Sequence, residues 1–213
     1  MLKAKDYRER AWNKLHGNWA TAVLSYLIME LLLGVLAFTY IGTLIVAGPL
    51  SVGFALVILN IVRKNNPKLE NLFAAFQDFV RAFVLWLVNT IFIILWTLLL
   101  IVPGIIKSLS YSMSYYILID DINISANDAR KKSMQLMDGH KWRLFCLYCS
   151  FIGWILLSLL TFGILLFWVM PYIQTAHAEF YQSLIAGDDD EVQQVNTDEV
   201  KEIEDRKSEN TEE

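Results

Sequence analysis

Apolar residues in this chain come in long runs, without the alternation of a half-buried strand or the narrow stripe of a soluble helix. The first run is Trp19–Tyr40, interrupted only by Glu30. A second continues to Val62 and holds Gly48, Pro49 and Gly53. The third, Ala82–Val102, stops at Pro103-Gly104, and a shorter fourth reaches Ile119 before Asp120-Asp121. The longest, Leu144–Met170, exceeds the roughly 20 residues of one membrane crossing. Together with Pro171–Ala186 it divides at Thr161-Phe162-Gly163 into two helices. The pattern predicts an all-α, polytopic transmembrane bundle of about six spans in three hairpins.

Each hairpin is preceded by a short amphipathic segment, expected to lie at the cytoplasmic membrane interface. In the first, Ala4, Tyr7, Ala11, Trp12 and Leu15 share a helical face opposite Lys5, Glu9, Arg10 and Lys14. The second follows the i, i+3, i+4 pattern from Leu69 through Phe73, Phe76 and Val80 to Phe83, after an Asn66-Pro67 start signal. The third opens with Ser125-Ala126-Asn127-Asp128, a capping-box sequence. Pro49, Pro103 and Pro171 each stand about 16 residues before the cytoplasmic end of a second helix, where proline suits a first turn. The recurring unit is an interfacial helix, a long helix, an outer turn and a short helix. It divides residues 1–187 into possible repeats 1–63, 64–121 and 122–187.

Composition supports the membrane reading. Of 213 residues 55% are hydrophobic and 19% charged, with mean hydropathy +0.41. The formal charge of −4 hides two opposite parts. Residues 188–213 carry twelve acids against Lys201, Arg206 and Lys207, and read as a disordered acidic cytoplasmic tail. Fourteen of the fifteen basic residues before it fall in the N-terminal arm and in the connections holding Arg63 and Arg130, which is one side of the membrane by this reading. Lys107 alone falls on the other. The positive-inside rule then makes the chain a multi-pass protein of the cell membrane with both termini cytoplasmic.

The N-terminal arm is too long and polar for a secretory signal. Cys146 and Cys149 form a C-x-x-C inside an apolar run without a second pair, so neither a disulfide framework nor a metal site is expected. Three scattered histidines, and no nucleotide-binding or hydrolase motif, predict a protein that is not an enzyme and takes no cofactor. No nucleic-acid partner is expected either.

Three side chains stand out as candidate ligand-binding groups. Glu30 lies near the middle of the first span, where an ionised carboxylate costs at least ~2.5 kcal/mol. It must be protonated, paired or turned to a polar cavity. Either it is a proton or cation site, or it is a neutral acid bonded between helices. Lys107 snorkels to the outer headgroups, neutralises Glu30 or binds an anionic lipid. Glu179 lies close enough to the cytoplasmic end to reach headgroups. Arg130, Lys131 and Lys132 are candidate contacts for anionic lipid headgroups, worth about 1 kcal/mol per basic residue. The fourth run is unusually polar, with Ser108, Ser110, Ser112, Ser114, Tyr111, Tyr115 and Tyr116, and should be central in the bundle.

Several short stretches carry a family resemblance. Pro103-Gly104-Ile105-Ile106-Lys107 with Leu109-Ser110-Tyr111-Ser112, Gly139-His140-Lys141-Trp142, Phe151-Ile152-Gly153-Trp154 and Pro171-Tyr172 resemble bacterial integral membrane proteins of the domain of unknown function 975 family. Gly17-Asn18-Trp19 and Gly48-Pro49-Leu50 extend the likeness, which covers roughly residues 5–185. The resemblance implies a multi-pass plasma-membrane protein and no established activity, so it transfers no catalytic residues. Two functions are expected. The first is a non-enzymatic organiser of membrane lipids or partner membrane proteins. The second is a small transporter or channel using Glu30 and the Ser/Tyr-rich fourth helix.

Overall fold

The computed structural model describes residues 3–37, 40–161 and 163–187, so the acidic-tail expectation lies outside the described residues. The described chain is helical throughout. In order the helices are α1 (Ala4–Leu15), α2 (Trp19–Leu36), α3 (Tyr40–Val62), α4 (Asn71–Ala74), α5 (Phe79–Leu99), α6 (Ile101–Tyr111), α7 (Ser114–Asp120), α8 (Ala126–Leu136), α9 (Lys141–Cys149), α10 (Ile152–Leu160) and α11 (Leu166–Ala186).

Four stretches are long and apolar enough to cross a membrane: Trp19–Leu36, Gly42–Val62, Phe79–Leu99 and Lys141–Leu160. The fourth expected run is broken into α6 and α7 at Ser112-Met113. The last, α11, has the length but carries Gln174, Thr175, His177 and Glu179. Both exceptions sit inside the bundle. Val169, Pro171 through Ile173 and Thr175 through Tyr181 of α11, like Leu109–Tyr111 and Tyr116–Leu118, are buried. Lipid contact would reject their polar groups; helix contact tolerates them.

The outer surface has the opposite character. Leu31 and Val35 of α2, Leu98 and Leu99 of α5, Ile101 of α6, and Leu159 and Leu160 of α10 are all more than 60% exposed. Apolar surface on this scale has no stable place in water and is matched to hydrocarbon.

Small residues set the closest approaches. A Cβ on Gly53 would stand 1.9 Å from the Leu72 carbonyl oxygen, so only glycine lets α4 rest on α3. A Cβ on Gly104 would stand 2.3 Å from Thr97 Oγ1, which closes the α5–α6 hairpin to a single residue, Leu100, between the helices. Gly17, with φ +88, turns the chain from α1 into α2.

The amphipathic segments pack on protein. Tyr7, Ala11 and Leu15 of α1 are buried, and Trp12 remains half exposed. Tyr7 stacks near Phe180 of α11 and pairs its hydroxyl with Ser183 at 3.0 Å. The second segment forms only the single turn α4, because the chain turns again before α5 begins at Phe79. Ser125 caps α8: its oxygen accepts the Asp128 amide at 3.1 Å, and its hydroxyl donates to the Asp128 carboxylate at 2.7 Å. Thus α4 rests on α3, α8 on α7, and α1 on α11.

The ends of α3, α7 and α11 are tied together by one polar knot. Arg63 grips Asp120 with two bonds of 2.6 and 2.8 Å, and the Tyr181 hydroxyl donates to the same carboxylate at 2.8 Å. The prolines differ from the first-turn expectation. Pro103 opens α6, whereas Pro49 and Pro171 lie inside α3 and α11. Nearby hydroxyls bond back onto their own helices, Ser51 donating to the Ala47 carbonyl at 2.7 Å and Thr175 to the Pro171 carbonyl at 2.8 Å.

A polar cavity among the central helices

The breaks and polar helices described above surround a cavity of about 310 Å³. Its largest share comes from the Ser/Tyr-rich segment: Ser108 and Tyr111 of α6, Ser112 at the break, and Tyr115 and Tyr116 of α7. Ser51 of α3, Tyr26 of α2, Asn89 of α5, Tyr148 of α9, and Gln174 and His177 of α11 complete the polar wall. No Asp, Glu, Lys or Arg is among the lining residues. The size is at the low end for sites that enclose small organic molecules.

The serines spend their protons on their own helices. Ser108 donates to Ile105 O at 2.9 Å, Ser112 to Leu109 O at 2.7 Å, and Ser51, which also lines the cavity, to Ala47 O. What these hydroxyls retain is acceptor capacity. Asn89 is held the same way round. Its amide nitrogen donates to Ser114 Oγ at 2.8 Å, and because Ser114 gives its own proton to the Tyr111 carbonyl, this fixes the orientation of the side chain. The Asn89 carbonyl oxygen is left with no partner although the residue is only 4% exposed. Nε2 of His177, 7% exposed between the rings of Tyr116 and Tyr148, is likewise without a partner. Leaving buried polar atoms unmatched costs about 1–3 kcal/mol each.

Glu30 does not line the cavity. It is exposed on α2, one turn beyond Tyr26, with its carboxylate beside the Tyr26 hydroxyl. Tyr26 itself is part of the wall, so the acid stands one side chain behind it. Lys107 lies over the Trp96 ring, 5.4 Å from its centroid, on the α5–α6 hairpin. Glu179 is buried in α11 and faces Lys14 at 3.8 Å, tying α1 to α11.

The three basic residues of α8 separate. Lys131 and Lys132 are exposed. Arg130 turns inward, its guanidinium 4.2 Å over Phe92 and 5.6 Å over Tyr111, with Asn127 accepting from Nη2 at 2.7 Å. Arg130 therefore backs the Tyr111 side of the cavity as Glu30 backs the Tyr26 side. Among the described residues no group of His, Cys, Asp and Glu is arranged to hold a metal ion.

Sequence reasoning located the Ser/Tyr segment but missed Asn89, and it did not bring His177 to that segment. An asparagine in the middle of the third apolar run was the available signal.

The fold and its site define a class: an all-helical protein with four helices able to cross a membrane around a polar interior. A family model described as "Protein of unknown function (DUF975)" matches residues 1–108 and 97–187, and the chain belongs to that family. No curated protein and no solved structure matches it.

Proposed function

We propose that this DUF975 protein is a six-pass protein of the cell membrane, with both termini cytoplasmic, that takes a small polar organic solute into its central cavity and conducts it across the bilayer without chemical change. Of the two functions expected from the sequence, the geometry favours the transporter or channel. The observation that carries this is the pair of buried, unpartnered atoms, Asn89 Oδ1 and His177 Nε2, on one cavity. In this reading α6–α7 and α11 complete the six passes as inner helices shielded from lipid.

The test is swelling of proteoliposomes in isosmotic solutions of small uncharged and amine solutes, followed by light scattering. Wild-type protein is expected to accelerate solute entry, and Ser112→Trp, which fills the cavity, to abolish the acceleration. Equal rates for the two proteins overturn the transport reading.

One observation favours the organiser as a second role. Lys131 and Lys132 point to solvent on α8, and each would contribute about 1 kcal/mol near an anionic surface. Replacing both with Gln is expected to weaken the protein's recruitment of anionic lipid during detergent extraction. Unchanged lipid content removes that role.

A further inference from the structure

We infer that the cavity is a site for a small protonated amine carrying an apolar or aromatic body, with Glu30 as its countercharge acting through Tyr26. The inference rests on the solute-binding reading above and names the chemistry of the solute.

Three independent features agree. The first is the hydrogen-bond sense of the wall. Ser51, Ser108 and Ser112 have given their protons to backbone carbonyls, and the amide nitrogen of Asn89 is occupied. Two atoms of wall residues are left over, Asn89 Oδ1, which is an acceptor, and His177 Nε2. A ligand that completes this wall brings donors, and an ammonium brings several at once.

The second is the aromatic content. Tyr26, Phe54, Tyr111, Tyr115, Tyr116 and Tyr148 all line the cavity. Aromatic faces attract a desolvated cation, repel an anion, and give an apolar body its contact surface.

The third is the placement of fixed charge. The wall has none, but the carboxylate of Glu30 stands beside the Tyr26 hydroxyl, one helical turn on along α2. A proton turned to that side leaves the Tyr26 oxygen with lone pairs for the ligand. The Arg130 guanidinium is the opposing charge, behind the ring of Tyr111. The two charges therefore set a direction across the cavity. An ammonium settles toward Tyr26, and the ligand's apolar body extends toward Tyr111.

The experiment uses full-length protein in nanodiscs and calorimetric titration, with empty nanodiscs subtracted. The probes are three near-isosteres: phenethylammonium, uncharged phenethyl alcohol, and the phenylacetate anion. Phenethylammonium is expected to bind about tenfold or more tighter than the alcohol, as a desolvated cation among aromatic rings should, and phenylacetate not at all. Glu30→Gln and Tyr26→Phe are each expected to remove most of the preference for the amine while leaving alcohol binding unchanged. Tyr26→Phe keeps the ring, so a packing role alone would not produce that pattern. Alcohol or phenylacetate binding as tightly as the amine overturns the inference and leaves solute binding standing. A preference for the amine that survives both substitutions overturns the role of Glu30. No binding of phenethylammonium to wild-type protein overturns the inference outright.

Discussion

Replacing Asn89 with leucine separates a residue kept for its ligand from one kept for the fold. Leucine keeps the number and branching of asparagine's side-chain heavy atoms, and the adjoining cavity gives its larger methyl groups room. It removes the bond from the Asn89 amide to Ser114 Oγ, at a cost of about 0.5–1.5 kcal/mol. Ser114 keeps its own bond to the Tyr111 carbonyl at 2.6 Å, so its proton is not stranded. Against that loss, the substitution deletes the unpartnered Asn89 oxygen, whose burial costs about 1–3 kcal/mol in a dry site and less where water reaches it. The two contributions nearly cancel. Asn89→Leu is therefore expected to unfold within about 2–4 °C of wild type, the shift that ~1 kcal/mol produces in a domain of this size, or above it. Amine binding should be lost at the same time. Thermal unfolding in mild detergent, followed by the fluorescence of the seven tryptophans, gives the first quantity and calorimetry the second. A drop well beyond 4 °C would make Asn89 a structural polar residue and refute the reasoning.

Three further outcomes are expected. Gly53→Ala drives a methyl into the Leu72 backbone and should destabilise by about 1–3 kcal/mol, with faster hydrogen exchange in residues 69–76; wild-type stability would show that α4 is not held against α3. Asp120→Asn removes the carboxylate shared by Arg63 and Tyr181 and should cost about 1–2 kcal/mol, the value of charge-assisted bonds reduced for partial exposure. Denaturation in mixed micelles measures it, and an unchanged midpoint counts against the knot. Asp128 is held below its usual carboxylate value of 3.8, first by the Ser125 hydroxyl and then by Lys131. A depressed value means that stabilisation of α8 is complete above the ordinary carboxylate range and fades as pH falls through it. The protection factor of the Asp128 amide, taken relative to intrinsic exchange at each pH, should therefore be higher at pH 6 than near pH 3, and Ser125→Ala should remove the difference.

Much of the helical plan was legible because hydrocarbon imposes a simple rule. Runs such as Trp19–Leu36 and Phe79–Leu99 are apolar on nearly every face, and no other environment fits them. The Ser/Tyr segment also announced itself, since Ser110 and Ser114 are intelligible only inside a bundle. The cavity was not legible. It depends on how seven separate helices approach one another, and on where individual protons go. A sequence records that residue 112 is serine, but not that its hydroxyl is spent on Leu109. Arg130 was unreadable for a related reason. Its neighbours Lys131 and Lys132 share its chemistry, and only the packing of α8 beside Phe92 and Tyr111 turns one of the three inward. Glu30 stood out as a charge in an apolar run, yet it lies outside the cavity wall, one helical turn beyond Tyr26 on α2.

The most direct measurement is cysteine accessibility at the break between α6 and α7. In a background carrying Cys146→Ser and Cys149→Ser, single cysteines replace Ser112 in the cavity wall and Leu98 on the 83% exposed apolar surface. Membrane vesicles are then treated with a charged, water-soluble thiol reagent. The account predicts modification of Ser112→Cys, slowed by phenethylammonium, and silence from Leu98→Cys, which hydrocarbon covers. A Ser112→Cys as unreactive as Leu98→Cys would mean a dry interior, and a reactive Leu98→Cys would mean that the apolar surface does not face lipid.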